Sequence, residues 1–99
     1  MYFAIISEDV KESLPLRLAV RPSHLQRLEV LQQENRLLLA GPFPLTTEGQ
    51  EGPVGFSGSL IVADFDSLSA CQAWADADPY VAAGVYAKVT IKPFKKVFP

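Results

Sequence analysis

Cysteine, tryptophan, methionine and histidine occur once each in a chain of 99 residues. With Cys71 alone, no internal disulfide can form and a zinc ribbon lacks its thiols. One histidine and scattered carboxylates give no metal-ligand spacing, so neither metal nor cofactor is expected. No uncharged run reaches the roughly 18 to 20 apolar residues that span a bilayer. Met1 leads into a strand-like segment without a cationic prelude, so no export segment is expected and the cytoplasm is the expected setting. An excess of basic charge is missing as well. Nine Lys and Arg against eleven Asp and Glu give a net charge of -2, the wrong sign for holding phosphate backbones, and nucleic acid is not an expected partner. Lys88, Lys92, Lys95 and Lys96 do crowd one end of the chain, where lysines on a strand edge discourage edge-to-edge aggregation.

What is present suits a packed core. The sequence is 48% hydrophobic, 10% aromatic and 20% charged, which excludes a disordered, collagen-like or coiled-coil chain, and its length fits one small domain over residues 1–99. Tyr2 to Ser7 is aromatic and β-branched without a breaker, a buried-strand pattern. Arg21 to Asn35 carries Leu25, Leu28 and Leu31 at helical spacing, with Pro22 suited to a first turn and His24 about one turn in, near the positive end of the helix dipole. A second strand, Leu37 to Ala40, closes at Gly41, Pro42 and Pro44, and a loop rich in glycine follows. Gly58 to Phe65 reads as a third strand. Leu68 to about Ala77 reads as a helix with Leu68, Cys71, Trp74 and Ala75 on its core face, broken at Asp78-Pro79. Tyr86 to Lys92 alternates as a half-exposed last strand, with Ala87, Val89 and Ile91 on one side and Tyr86, Lys88 and Thr90 on the other.

The order β-α-β-β-α-β predicts an α+β fold of the ferredoxin-like, split βαβ kind: an antiparallel sheet with both helices on one face. In that topology the start of the first helix, the end of the second strand, the start of the third strand and the end of the second helix share one end of the sheet. His24 and Asp78 can therefore meet. Histidine is the side chain whose ordinary pKa suits proton transfer near neutrality, and a carboxylate on one ring nitrogen fixes the tautomer and raises the basicity of the other. The plain alternative is a capping histidine, with Asp78 merely ending a helix.

Around such a pair the same topology gathers Arg17 and Arg21, which suit bidentate hold of a carboxylate. Gly41, Pro42, Ser57 and Ser59 offer backbone and hydroxyl groups, and Tyr80 is placed to cover a ligand. Each has a bland reading beside it: solvated arginines, glycine at a strand end for geometry alone, and an aromatic that packs down.

Arg21-Pro22-Ser23-His24-Leu25, Ala40-Gly41-Pro42, Gly55-Phe56-Ser57-Gly58-Ser59, the block Ala73 to Tyr80 (AWADADPY) and the closing Lys92-Pro93-Phe94-Lys95-Lys96-Val97 resemble the YCII-related (YciI) family over essentially the whole chain. The resemblance implies a dimeric α/β-barrel type of ferredoxin-like fold and a His-Asp centre at His24 and Asp78. It also implies distant kinship to muconolactone isomerases and a chlorinated hydroxyhydroquinone dehydrochlorinase. No substrate is implied, and nothing carries over to Cys71 or to the loop from Leu45 to Gly55. The expectation is a cofactor-independent enzyme performing isomerase- or lyase-type proton transfer on a small anionic cyclic or carbonyl compound. The alternative is a non-catalytic small-molecule-binding or accessory module with the same pocket. A homodimer is expected too, since both alternating sets are apolar in the first strand (Tyr2, Ala4, Ile6 against Phe3, Ile5) and in the third (Leu60, Val62 against Ile61, Ala63, Phe65), so that whichever set meets the helices, the other leaves a second apolar sheet face.

Overall fold

The computed structural model describes residues 1–99. Its elements run β1 (Tyr2–Asp9), α1 (Leu14–Gln33), β2 (Leu37–Pro44), β3 (Phe56–Asp64), α2 (Leu68–Asp76), α3 (Pro79–Ala82) and β4 (Tyr86–Phe94). The sheet order is β2-β3-β1-β4 and every pairing is antiparallel, which is the ferredoxin-like arrangement read from the element order. In the central pair Phe3 faces Ala63, Ile5 faces Ile61 and Ser7 faces Ser59. Opposed residues share a sheet face, so one face presents these side chains to the helices. Phe3, Ile5, Ile61 and Ala63 join Leu31 of α1, Phe65, and Cys71 and Ala75 of α2 in one buried cluster.

Helix α1 is longer than its leucine pattern suggests. It begins at Leu14, with Pro15 in the first turn, and runs through Pro22 to Gln33. An interior proline removes one backbone bond and costs on the order of 3 kcal/mol; burial of Arg17, His24 and Leu31 on both sides of it keeps the helix continuous. His24 consequently lies near the middle of a 20-residue helix, not one turn from its start, and the dipole argument for it fails. The helix ends with Asn35 at a left-handed φ of 57° while the Arg36 N–H donates to the Leu31 carbonyl at 2.9 Å. This is a left-handed cap that suits asparagine.

Two further boundaries move. β2 continues past Gly41 and Pro42 to Pro44; it is an edge strand, where proline's missing N–H leaves no ladder bond unmade. In β4 a bulge opposite Glu8 and Asp9 pairs Asp9 with Tyr86 while Ser7 pairs with Val89. The extra residue turns Tyr86 onto the helix-facing side, away from the side of Lys88 that strict alternation assigned it. Asp78 breaks the chain as expected, but a short α3 follows, with Asp78 as its N-cap.

Candidate functional site

His24 and Asp78 are in direct contact. Nδ1 of His24 lies 2.9 Å from Oδ1 and 3.0 Å from Oδ2 of Asp78, and both side chains are buried. The carboxylate is fixed from the other side by the Tyr80 backbone N–H, which donates to Oδ1 at 2.9 Å, so the bond that caps α3 also orients the acid. An Nδ1–H donating to a carboxylate leaves the lone pair on Nε2. The contact forms because α3 packs on the middle of α1, not because two element ends converge. The Tyr80 ring stacks on the imidazole, with centroids 4.0 Å apart.

Beside the pair is a cavity of about 210 Å³ between α1 and the β2–β3 end of the sheet. His24, Arg17, Arg21, Gly41, Pro42, Ser59 and Tyr80 all line it; leucines of α1, together with Phe56 and Ile61, form its apolar wall. Ser57 does not reach it. That side chain is exposed and borders a shallow depression with Asp9 and Val10. Alternation alone would put Ser57 on the face of Ser59, but the register shifts where Phe43 pairs with Gly58 and Pro44 with Phe56, and this bulge leaves Ser57 out and brings Phe56 to the cavity.

Arg17 is not the solvated, ligand-ready arginine expected. Its Nε donates to Asp9 Oδ2 at 2.7 Å, and Nη2 donates to Asp9 Oδ1 at 3.0 Å, to the Gly58 carbonyl at 3.0 Å and to Ser59 Oγ at 2.9 Å. The Arg17 and Asp9 side chains are 5% and 1% exposed, so the pair is a buried ion pair at the cavity floor. Burial alone would lower the guanidinium pKa, but the hydrogen bond and charge of Asp9 outweigh it and hold it above the ordinary value. Ser13 Oγ also donates to Asp9 at 2.6 Å, which is why Ser13, at the N-cap position of α1, makes no side-chain cap bond. Gly58 is required where β3 passes β1, since a Cβ there would collide with the Ser7 carbonyl.

Sequence reasoning missed Asp9 and Tyr86. Asp9 sits at a strand end in an unremarkable polar stretch, and Tyr86 is brought inward only by the bulge. Burial, reinforced by the Asp78 charge, pushes the Tyr86 phenol up to about 12, and burial likewise raises Tyr80. Both hydroxyls are thus held protonated at neutral pH. Trp74 packs against the core beside Phe65, whereas Leu68, expected on the same face, is 53% exposed at the start of α2. Cys71 is wholly buried, and burial pushes its thiol up to about 11. No three His, Cys, Asp or Glu side chains gather closely enough to hold a metal ion, and no helix is long and apolar enough to cross a membrane.

A ferredoxin-like sheet with a buried His-Asp contact at the rim of a small cavity defines the class of protein. The chain belongs to the YCII-related domain family, whose pattern it matches over residues 1–95. It is 57% identical to Protein YciI of Escherichia coli O6:H1 over 98 residues, covering 99% of this chain and all of that protein. It is 53% identical over 98 residues to an uncharacterized protein of Haemophilus influenzae, with the same coverage. Among solved structures it is similar to the 5-chloro-2-hydroxyhydroquinone dehydrochlorinase of Burkholderia phenoliruptrix AC1100 in complex with 2,5-dihydroxybenzoquinone. That match has a TM-score of 0.82 and 25% identity, over 96% of this chain and 94% of the other.

Proposed function

We propose that the protein is a cofactor-independent enzyme that moves a proton on a small anionic cyclic or carbonyl compound. The observation that carries this reading is the bidentate approach of Asp78 to Nδ1 of His24, at 2.9 and 3.0 Å, at the rim of a cavity that His24 lines. Nε2 takes a proton from the carbon next to a carbonyl, giving an imidazolium and an enolate. Asp78 stabilises the imidazolium, and the cavity's arginines stabilise the enolate. The enolate then either collects the proton at another carbon, an isomerisation, or expels a leaving anion as the double bond forms, an elimination. Gly41, Pro42, Ser59 and Tyr80 shape the space the ring occupies, and Ser57 has no part in it.

The likeness to a dehydrochlorinase bound to a dihydroxybenzoquinone supports small hydroxylated quinones and their chlorinated precursors as the first compounds to test. Homodimerisation through the open sheet face and a cytoplasmic setting belong to the same reading; a single free, buried cysteine suits a reducing compartment. The test is turnover of such a panel, followed by ultraviolet absorbance and mass spectrometry. With a substrate in hand, His24→Gln should lower the rate at least about 100-fold with the fold intact, the low end of what an acid-base group contributes. A His24→Gln variant that keeps its rate while binding is unchanged would leave no proton-transfer role for the imidazole. Binding without product in the unaltered protein would favour a ligand-holding module.

A further inference from the structure

Three buried polar residues line the cavity: His24, Arg17 and Tyr80, the last two also hydrogen-bonded to each other through their side chains. Arg17 spends its hydrogen bonds through Nε and Nη2, and His24 through Nδ1. A cavity with three polar groups converging on an apolar wall is the usual form of a small-molecule site.

The charges around this space cancel except for one. Arg17 is matched by Asp9 at 2.7 Å. Asp78 is met by His24 and by the Tyr80 N–H, with the Arg27 charge also near it. Arg21 lies one turn before His24 on the cavity-lining side of α1 and has no carboxylate at ion-pair distance. It is exposed to solvent and is the cavity's one cation without a carboxylate partner, close enough to the Tyr80 phenol to act on it. The volume sets a scale. An apolar cavity of about 150 Å³ takes one benzene ring, so about 210 Å³ has room for a six-membered ring with a small substituent, on a side that is open to solvent.

We infer that the cavity selects single-ring compounds carrying one negative charge, and that Arg21 is the residue that reads the charge. The inference rests on the proposed site for its location and narrows the substrate class there to monoanions. A second charge on the ligand gains no further unmatched cation, because the buried carboxylates of Asp9 and Asp78 already answer the other charges nearby. A neutral ring of the same shape leaves Arg21 unanswered.

The test titrates into the full-length protein, at pH 8, benzamide and benzoate, which share one shape and differ in charge, and phenyl phosphate, a bulkier single-ring dianion. Binding is followed through the Gly41 and Tyr80 amide resonances. Benzoate should shift both saturably, benzamide at least about tenfold more weakly, and phenyl phosphate no more tightly than benzoate. Arg21→Gln should bring benzoate to the level of benzamide while leaving benzamide where it was. Equal affinities for benzoate and benzamide, tighter binding of phenyl phosphate, or an Arg21→Gln protein that still prefers benzoate would each overturn the inference, as would failure of benzoate to bind at all. The proton-transfer reading fails separately, through His24→Gln turnover, and charge selection does not depend on that result.

Discussion

His24 and Tyr80 lie ring on ring, 4.0 Å apart and 12° from parallel, and both donate to the same oxygen, Oδ1 of Asp78, at 2.9 Å. The three residues form a closed cycle. Asp78 caps the four-residue α3 that carries Tyr80, Tyr80 covers the imidazole, and the imidazole bonds back to Asp78. A helix this short has little stability of its own, so the cap and the stack are what hold α3 against α1.

The cycle separates under substitution. Asp78→Ser keeps a capping oxygen for the Tyr80 N–H but is too short to hold His24; Asp78→Ala loses both bonds. Asp78→Ala should cost about 2–4 kcal/mol in urea unfolding, combining a lost cap with a buried donor left unpaired. Asp78→Ser should recover about 1 kcal/mol of that. Both should lose the protected Nδ1 proton of His24 in the NMR spectrum. A Ser variant that retained this proton would show that another group orients the ring.

Asp9 and Arg17 make a buried ion pair at 2.7 Å. Removing one partner strands the other, and Asp9→Ala should lower stability by about 3–5 kcal/mol. Replacing both, Asp9→Leu with Arg17→Met, should cost much less than the two single changes added together, because no charge is then left unmatched. Denaturant unfolding of the four proteins measures the coupling. Additive losses would mean that the two residues contribute independently.

Alkaline pH acts on the buried acids. Cys71 is raised by burial from 9.0 to about 11 and Tyr86 from 10.0 to about 12. In both, the unfolded chain gives up its proton first, so the stability is fully present below the unfolded pKa and is lost as pH rises through the folded one. Stability should therefore fall from about pH 9, by up to about 1.4 kcal/mol per pH unit per ionising group, and more steeply once Tyr86 contributes above pH 10. Cys71→Ala should remove the earlier part of the fall and leave the later part. An unchanged onset in that variant would exclude the thiol as its source.

Arg27 is held by opposing effects of similar size. Its Nη2 donates to the Trp74 carbonyl at 2.6 Å and its guanidinium lies 4.2 Å over the Trp74 ring, while Nη1 is sealed without a partner. A charge-assisted bond contributes about 1.5–3 kcal/mol, and an unsatisfied buried donor costs about 1–3 kcal/mol. Arg27→Met, which keeps the stem against Trp74, should then change stability by less than about 1 kcal/mol. Arg27→Ala should cost more, by loss of packing. Thermal unfolding followed through Trp74 fluorescence compares the two.

Strand existence and order were legible because the apolar runs Tyr2 to Ser7 and Gly58 to Phe65 and the breaker Asp78-Pro79 are local signals. The His24–Asp78 approach was legible from topology, although by a route the structure corrects: His24 sits mid-helix, and α3 comes to it. Tertiary burial extends α1 through Pro22, where local rules place a helix start. Asp9 is hidden in the sequence because a buried ion pair is defined by its partner, and that partner, Arg17, reads there as a holder of a ligand's carboxylate and not of one within the chain. Tyr86 was misassigned because a bulge is a property of two strands in register, invisible in the alternation of one. Ser57 shares the parity of Ser59, which does line the cavity; it is set apart by the bulge opposite Phe43 and Pro44, again a property of two strands in register.

The sheet face away from the helices remains to be accounted for. Tyr2, Ala4 and Ile6 of β1 and Leu60 and Val62 of β3 share it by register. On the flanking edge strand, Leu39 is 47% and Phe43 41% exposed, both on this same face through their pairing with Val62 and Gly58. No helix of this chain covers it, and monomers rarely present apolar patches beyond a few hundred Å². A second copy laid sheet to sheet offers the same patch in return, which is the self-complementarity a two-fold contact requires. The protein should sediment as a dimer at micromolar concentration. Leu39→Lys with Phe43→Lys should yield a monomer of unchanged circular dichroism, because both side chains are already open to solvent in the single chain. A double variant that remains dimeric would move the interface to another surface, and an unaltered protein that sediments as a monomer would leave this face without a partner of its own kind.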